Sequence, residues 1–276
     1  MRQSIKPLVL GFLLCSSIPE AMTQTSTSFS IPGTFARDVS HVVRGTGYVL
    51  ASPFRWGGKD WAIFGGVLAG TFALSFLDEP VNDFFLRNHS EAADKLADVG
   101  VEYGEPRTAV LIAGGTYLIG LFGKNDFLRE SAVILSASLL PAGGIQTVTK
   151  IASGRARPHL GLGHAEFDPF RQEEAYYSFF SGHTMVAMAT SHVFAKRIDN
   201  VPVKVLLYGL GSLAGLSRMY NEDHWLSDVT FGSVLAIASV NSVSSWLERQ
   251  KNPEARNGLQ WQITPHRYGA QVNLAW

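Results

Sequence analysis

Long, mostly apolar stretches alternate with short polar or glycine-containing segments through the middle of the chain. Each stretch is too long for a β-strand and is bounded by charge, Gly or Pro, which is typical of helices. The stretches cover residues 61–77, 108–123, 131–149, 175–195, 205–217 and 229–247. An amphipathic stretch at 91–99 predicts one shorter helix between the first two. We therefore expect an all-α fold, a helical bundle of about six main helices.

The chain before the bundle divides into two segments. Residues 1–23 combine basic residues, an apolar run and then small and polar residues, which predicts a secretory signal peptide. An uncleaved membrane anchor remains an alternative, as does a lipoprotein signal at Cys15. Residues 24–58 show no clear period, and we interpret them as an N-terminal arm with one short helix near 35–43.

The helical core is expected to span residues 59–250, followed by a C-terminal tail at 251–276. Apolar and polar residues alternate in the tail near 259–263 and 270–276, which predicts a short β-hairpin. Because a lone hairpin is not stable in water, we expect it to pack on the bundle or to meet a membrane surface. An outer-membrane barrel is disfavoured, since one hairpin cannot close a barrel.

Charge and hydropathy limit the partners and the location of the protein. The 23 Lys and Arg residues equal the 23 Asp and Glu residues, so a nucleic-acid partner is disfavoured. Counting spans from an exported N-terminus places Lys150 inside, whereas the distribution of basic residues between the loops places it outside. A mean hydropathy of +0.09 and 17% charged residues are low for a protein with six spans. We therefore predict an exported protein of the periplasm or cell envelope, soluble or peripheral rather than integral.

The stretch S-R-M-Y-N-E-D-H-W-L-S-D, residues 217–228, combines the residue types that act on a phosphate. His224 and Asp228 are four residues apart, so a helix beginning after His224 places both side chains on one face. The carboxylate can then hold one imidazole nitrogen and leave the other free to attack. Arg218 lies one loop away, at the end of the preceding apolar run.

Two earlier stretches complete a pattern of three motifs. Lys150 is followed after six residues by Arg157 and Pro158, and a second stretch reads Ser181, Gly182, His183. Together with the 217–228 stretch, this order resembles the type 2 phosphatidic acid phosphatase (PAP2) superfamily, which also contains bacterial non-specific acid phosphatases and vanadium haloperoxidases. The second motif departs from the family pattern by one residue, because Phe180 stands where the family usually has proline.

The resemblance implies catalytic roles for three residues. His224 is expected to attack phosphorus and form a phosphohistidine, while Asp228 fixes its tautomer and stabilises the imidazolium. His183 is expected to protonate the leaving group and then to activate water. The phosphatases of this family work without a metal, and we predict neither a metal nor another cofactor for this chain.

The resemblance also implies a phosphate-binding set. Lys150, Arg157 and Arg218 are expected to clamp the phosphate oxygens, the two arginines through planar forks. Ser181 and Gly182 are expected to add a hydroxyl and backbone N–H donors at a helix N-terminus, where the glycine lets the phosphate come close. Arg155 occupies no fixed motif position, and we interpret it as a solvated loop residue or an auxiliary phosphate contact.

An aromatic run directly precedes the second motif and consists of Tyr176, Tyr177, Phe179 and Phe180. Two interpretations are open: the side chains pack in the core, or Tyr176 and Tyr177 face outward and form a lip at the level of lipid headgroups.

The predicted function is metal-independent hydrolysis of a phosphomonoester or diphosphate, with a phosphorylated lipid as the favoured substrate. A periplasmic acid phosphatase acting on small soluble esters is the main alternative. A vanadium haloperoxidase is less favoured because such enzymes are typically much longer chains. A non-catalytic envelope module is disfavoured because the charged motif positions are all present.

Overall fold

The computed structural model describes residues 30–251, 260–266 and 269–275. The predicted signal peptide lies outside these residues. Nine α-helices occur in the described part: α1 Ile31–Leu50, α2 Gly58–Ser75, α3 Asp78–Arg87, α4 Glu91–Gly104, α5 Pro106–Phe122, α6 Asp126–Ser153, α7 Gly182–Arg197, α8 Val201–Tyr220 and α9 Leu226–Lys251. The all-α class is confirmed, whereas the expected number of about six helices is wrong. After α9, strands β1 Gln260–His266 and β2 Gly269–Ala275 pair antiparallel with each other alone.

Three elements explain the difference between the expected and the observed helices. The pattern misses α3 because this ten-residue helix contains charged residues in its first and last turns. Helix α1 is longer than the short helix expected near 35–43. The stretch expected to be helical from residue 175 becomes a regular helix only at Gly182, where Ser181 caps α7.

Helix α7 forms the centre of the bundle. Its residues from Thr184 to Ala195 are all buried, and it packs against α4, α6, α8 and α9. Phe194 of α7 and Leu135 of α6 are among the most buried large side chains of this core. Burial of this kind contributes roughly 1.5–3 kcal/mol per large apolar side chain.

The outer helices show the reverse pattern, with apolar side chains on the surface. Helix α2 buries none of its residues and exposes Trp61 and Phe72, and α5 exposes Val110, Leu111 and Phe122. Water-soluble proteins rarely leave apolar patches of this extent uncovered, whereas lipid tails cover them without cost.

The expectation of a soluble or peripheral protein is therefore wrong, because the exposed apolar helices favour an integral membrane protein. Within the described residues, α6 and α9 are long and apolar enough to cross a membrane, and α2 with α3, bent by 49° between them, would make a third span. Mean hydropathy misled because it averages these helices with the polar segments between and beyond them.

Helices α6 to α9 place the motif residues at one end of the bundle. Helices α6 and α8 end there, while α7 and α9 begin there. Helix α6 stops at Gly154, whose φ of +54° is left-handed and where a Cβ would overlap the backbone carbonyl of Asp168. This sharp stop turns the chain into the loop that contains Arg155 and Arg157.

Candidate active site

The structure brings the eight predicted site residues to the same end of the bundle. They lie at the end of α6 (Lys150), in the following loop (Arg157), at the start of α7 (Ser181, Gly182, His183), at the end of α8 (Arg218), and at the start of α9 or just before it (His224, Asp228). Their assigned roles remain proposals.

His224 and Asp228 form a buried pair. The Nδ1 atom of His224 lies 3.7 Å from Oδ2 of Asp228, longer than a hydrogen bond, and has no hydrogen-bond partner in the described part of the chain. Oδ2 of Asp228 instead accepts from the hydroxyl of Ser178 at 2.5 Å and from the backbone N–H of Trp225 at 2.9 Å. Burial lowers the pKa of His224 to about 4, although the neighbouring carboxylate opposes this shift, so the imidazole is neutral at pH 7.

Arg155 differs from both interpretations drawn from the sequence. It is 3% exposed, and its guanidinium donates to Oδ1 of Asp228 at 2.5 Å and to Oδ2 of Asp78 at 2.7 Å. Asp78, at the start of α3, also accepts the backbone N–H and the hydroxyl of Ser227. Arg155 is therefore neither solvated nor placed for a phosphate, because both arms of its fork hold buried carboxylates.

Arg157 and Arg218 provide the positive charge of the site. Each is 9% exposed, and the Nε atom of each is buried without a hydrogen-bond partner among the described residues. Both contact Asp223, and their charges and that of Lys150 act on one another. A buried donor without an acceptor is costly, so these two guanidiniums are suited to an oxygen-rich anion.

The start of α7 is tied to the neighbouring helices. The Ser181 hydroxyl accepts from the backbone N–H of Thr184 at 3.5 Å and from its hydroxyl at 2.8 Å, while the Ser181 N–H donates to the carbonyl of Asp228. At Gly182, a Cβ would overlap the side-chain amide of Gln146. The side chain of Gln146 from α6 therefore occupies the position that a Cβ of residue 182 would take.

His183 has a partner that the sequence does not indicate. Its Nε2 lies 3.3 Å from Oε1 of Glu105, the residue that precedes α5. Burial lowers the pKa of His183 and the charge of Arg218 lowers it further, whereas Glu105 raises it. Glu105 belongs to no motif and lies 78 positions from His183 in the sequence.

The aromatic run follows the core interpretation at Tyr176 and Phe180, and Phe179 packs against the core from a partly buried position. Tyr176 is buried, with the guanidinium of Arg171 4.1 Å from its ring centroid, and Phe180 packs against Phe231. The outward lip is therefore wrong for Tyr176.

Among the described residues there is no group of three or more His, Cys, Asp or Glu side chains arranged to hold a metal ion.

Comparison with known proteins identifies the family. Residues 131–252 match the family model of the PAP2 superfamily. This part of the chain belongs to the PAP2 superfamily. The match includes all eight predicted site residues and confirms the resemblance based on the three motifs. No curated protein matches the chain.

Two solved structures are similar to this chain. The crystal structure of a transmembrane PAP2-type phosphatidylglycerolphosphate phosphatase from Bacillus subtilis has a TM-score of 0.50 and 20% identity, covering 69% of this chain and 96% of its own. The structure of LpxE from Aquifex aeolicus has a TM-score of 0.46 and 17% identity, covering 61% of this chain and 94% of its own. The first neighbour is itself described as transmembrane, in agreement with the apolar outer helices.

Proposed function

We propose that this PAP2-type phosphatase hydrolyses the terminal phosphate of a membrane lipid, a monoester or a diphosphate, through a phosphohistidine intermediate. One observation supports the proposal above all others: two buried guanidiniums with unpaired Nε donors lie at the same end of the bundle as a buried, neutral histidine. Such donors stabilise the charge that spreads over the equatorial oxygens during phosphoryl transfer.

Binding of the phosphate is assigned to the cations. Arg157 and Arg218 would each present a planar fork to its oxygens, and Lys150 would add a point charge from the end of α6. The N-terminus of α7 would add backbone N–H groups near Gly182 and the favourable end of the helix dipole.

The proposed reaction has two steps, and each step combines one phosphoryl transfer with one proton transfer. In the first, the neutral imidazole of His224 attacks phosphorus, the bond to the lipid oxygen breaks, and His183 gives that oxygen its proton. Asp228 stabilises the resulting imidazolium. In the second, His183 takes a proton from water, the oxygen attacks phosphorus, and the bond to His224 breaks, which releases inorganic phosphate.

A lipid is favoured as the substrate because the exposed apolar helices favour a location in the membrane, where a lipid phosphate would reach the protein by lateral diffusion. The Bacillus subtilis neighbour is described as a phosphatidylglycerolphosphate phosphatase, which supports the class, although 20% identity establishes the fold alone. The apolar outer helices provide the surface along which an acyl or prenyl chain can approach.

The test compares substrates with purified protein in detergent micelles. Lipid monophosphates, lipid diphosphates and a small soluble ester are assayed for phosphate release, and we expect the highest kcat/KM for a lipid. Trapping with radiolabelled substrate should give an acid-labile phosphohistidine that is lost in His224→Ala, with turnover reduced about 10⁴-fold or more. His89→Ala, an exposed histidine outside the motifs, is the control.

Three results would contradict the proposal. Preference for the soluble ester would favour an acid phosphatase. Halide oxidation that depends on added vanadate would favour a haloperoxidase. Labelling that persists in His224→Ala would assign the nucleophile elsewhere.

A further inference from the structure

Asp223, directly before His224, lies between the two arginines of the candidate phosphate site. Its Oδ1 accepts from Nη1 of Arg157 at 3.2 Å, and its Oδ2 lies 2.8 Å from Nη2 of Arg218. Two oxygens of one carboxylate thus bridge two guanidiniums, as two oxygens of a bound phosphate would.

The backbone around Asp223 is held by backbone hydrogen bonds. The N–H groups of Asp223 and His224 both donate to the carbonyl of Arg218, at 2.9 and 3.2 Å. The preceding residue, Glu222, has a φ of +56°, and its carbonyl accepts the N–H of His159. The carboxylate can therefore leave the arginines only by rotation of its own side chain, which is 21% exposed.

Asp223 does not use all the donors of the pair. The Nε atoms of Arg157 and Arg218 stay unpaired while the carboxylate is in place. A phosphate has more oxygens and a larger charge, so it can satisfy more of these donors than a carboxylate can. Binding of phosphate nevertheless leaves a negative side chain a few ångströms away unless Asp223 swings out, and either event weakens the complex.

We propose that Asp223 is an internal competitor of phosphate that limits how tightly the site retains its product. Without phosphate it offsets one of the two positive charges and holds both guanidiniums in place. After hydrolysis it competes with inorganic phosphate for the same donors and favours its release. The inference rests on the proposed phosphatase function.

The experiment measures phosphate affinity in two variants. Asp223→Asn removes the charge with little change in shape, and Kd for inorganic phosphate is measured by calorimetry in micelles alongside its Ki during turnover. We expect both constants to fall at least about tenfold, because one negative charge near the anion is lost. Glu174→Gln is the matched control: Glu174 contacts Arg157 at 3.4 Å but is 82% exposed, so a change below about threefold is expected.

The outcomes separate the inference from the proposed function. Unchanged or weaker phosphate binding in a folded Asp223→Asn variant overturns the inference and leaves Asp223 as a residue that aligns the arginines. An equal fall in Kd for phosphate in Asp223→Asn and Glu174→Gln also overturns it, because removal of any nearby negative charge would then strengthen phosphate binding to the same extent. If the unmodified enzyme hydrolyses no phosphate ester, the proposed function fails, while calorimetry still decides the role of Asp223. Asp223→Ser replaces the asparagine variant if that variant does not fold.

Discussion

The guanidinium of Arg155 donates to Oδ1 of Asp228, the carboxylate oxygen opposite the one nearest His224. Its second arm holds Asp78, so one cation fixes two buried carboxylates on α3 and α9. The carboxylate proposed to assist His224 is thus oriented by a residue outside the proposed phosphate-binding set.

Arg155→Ala should be strongly destabilising, because it leaves two buried carboxylates without their counter-charge. We expect the free energy of unfolding to fall by about 3–5 kcal/mol, measured by thermal or denaturant unfolding in micelles. Arg87→Ala removes an exposed pair with Asp83 and should cost at most about 1 kcal/mol. Equal losses in the two variants would show that the buried triad adds nothing to stability.

The value of kcat/KM should be highest at a pH below 7. His224 must be neutral to attack, and with a pKa of about 4 it limits activity only at low pH. His183 must be protonated to act as an acid, and because burial lowers its pKa from 6.5, activity should fall as pH rises through a value below 6.5. An optimum above pH 7 would contradict this assignment of acid and nucleophile.

Glu105→Gln should move the alkaline limb of that profile to lower pH. The carboxylate raises the pKa of His183, so its neutralisation lets that pKa fall further. Glu102→Gln is the control, since Glu102 pairs with Arg107 and Thr108 rather than with a catalytic group. A limb that stays in place, with kcat alone reduced, would show that Glu105 only supports the local structure.

Gly154→Ala should disrupt the end of α6. The new methyl group would overlap the carbonyl of Asp168, and a left-handed φ adds roughly 1 kcal/mol for any residue with a Cβ. Gly161→Ala is the matched control, because Gly161 has a similar φ of +66° but open space beside it. The free energy of unfolding, measured in micelles, should fall further for Gly154→Ala than for Gly161→Ala. Similar decreases in the two variants would mean that the loop moves to accept the methyl group.

Leu111→Arg should reduce the amount of folded protein in the membrane fraction. Leu111 lies on the exposed apolar face of α5, and an arginine facing lipid costs up to about 3 kcal/mol. Glu91→Arg, on an exposed polar position of α4, should leave the yield unchanged. Release of the unmodified protein by alkaline carbonate would contradict integration into the bilayer.

The local motifs named residues that the structure places at one end of the bundle. Residues close in sequence, such as Arg218, His224 and Asp228, share one loop and one helix turn, so their spacing largely determines their geometry. Asp78 and Glu105 could not be found in this way, because each reaches its partner only after distant helices pack together. The sequence pattern did not predict helix α3, because this helix is short and charged. The role of Asp78, its first residue, was therefore not predicted either.

Helix α7 carries the proposed catalytic acid, His183, in its first turn. Every residue from Thr184 to Ala195 is buried, and this buried stretch begins directly after His183. Exposed apolar faces occur on α2 and α5, which contain no proposed reacting group. The proposed proton donor is therefore held by a helix that packs against four others, apart from the two helices whose apolar faces would meet lipid.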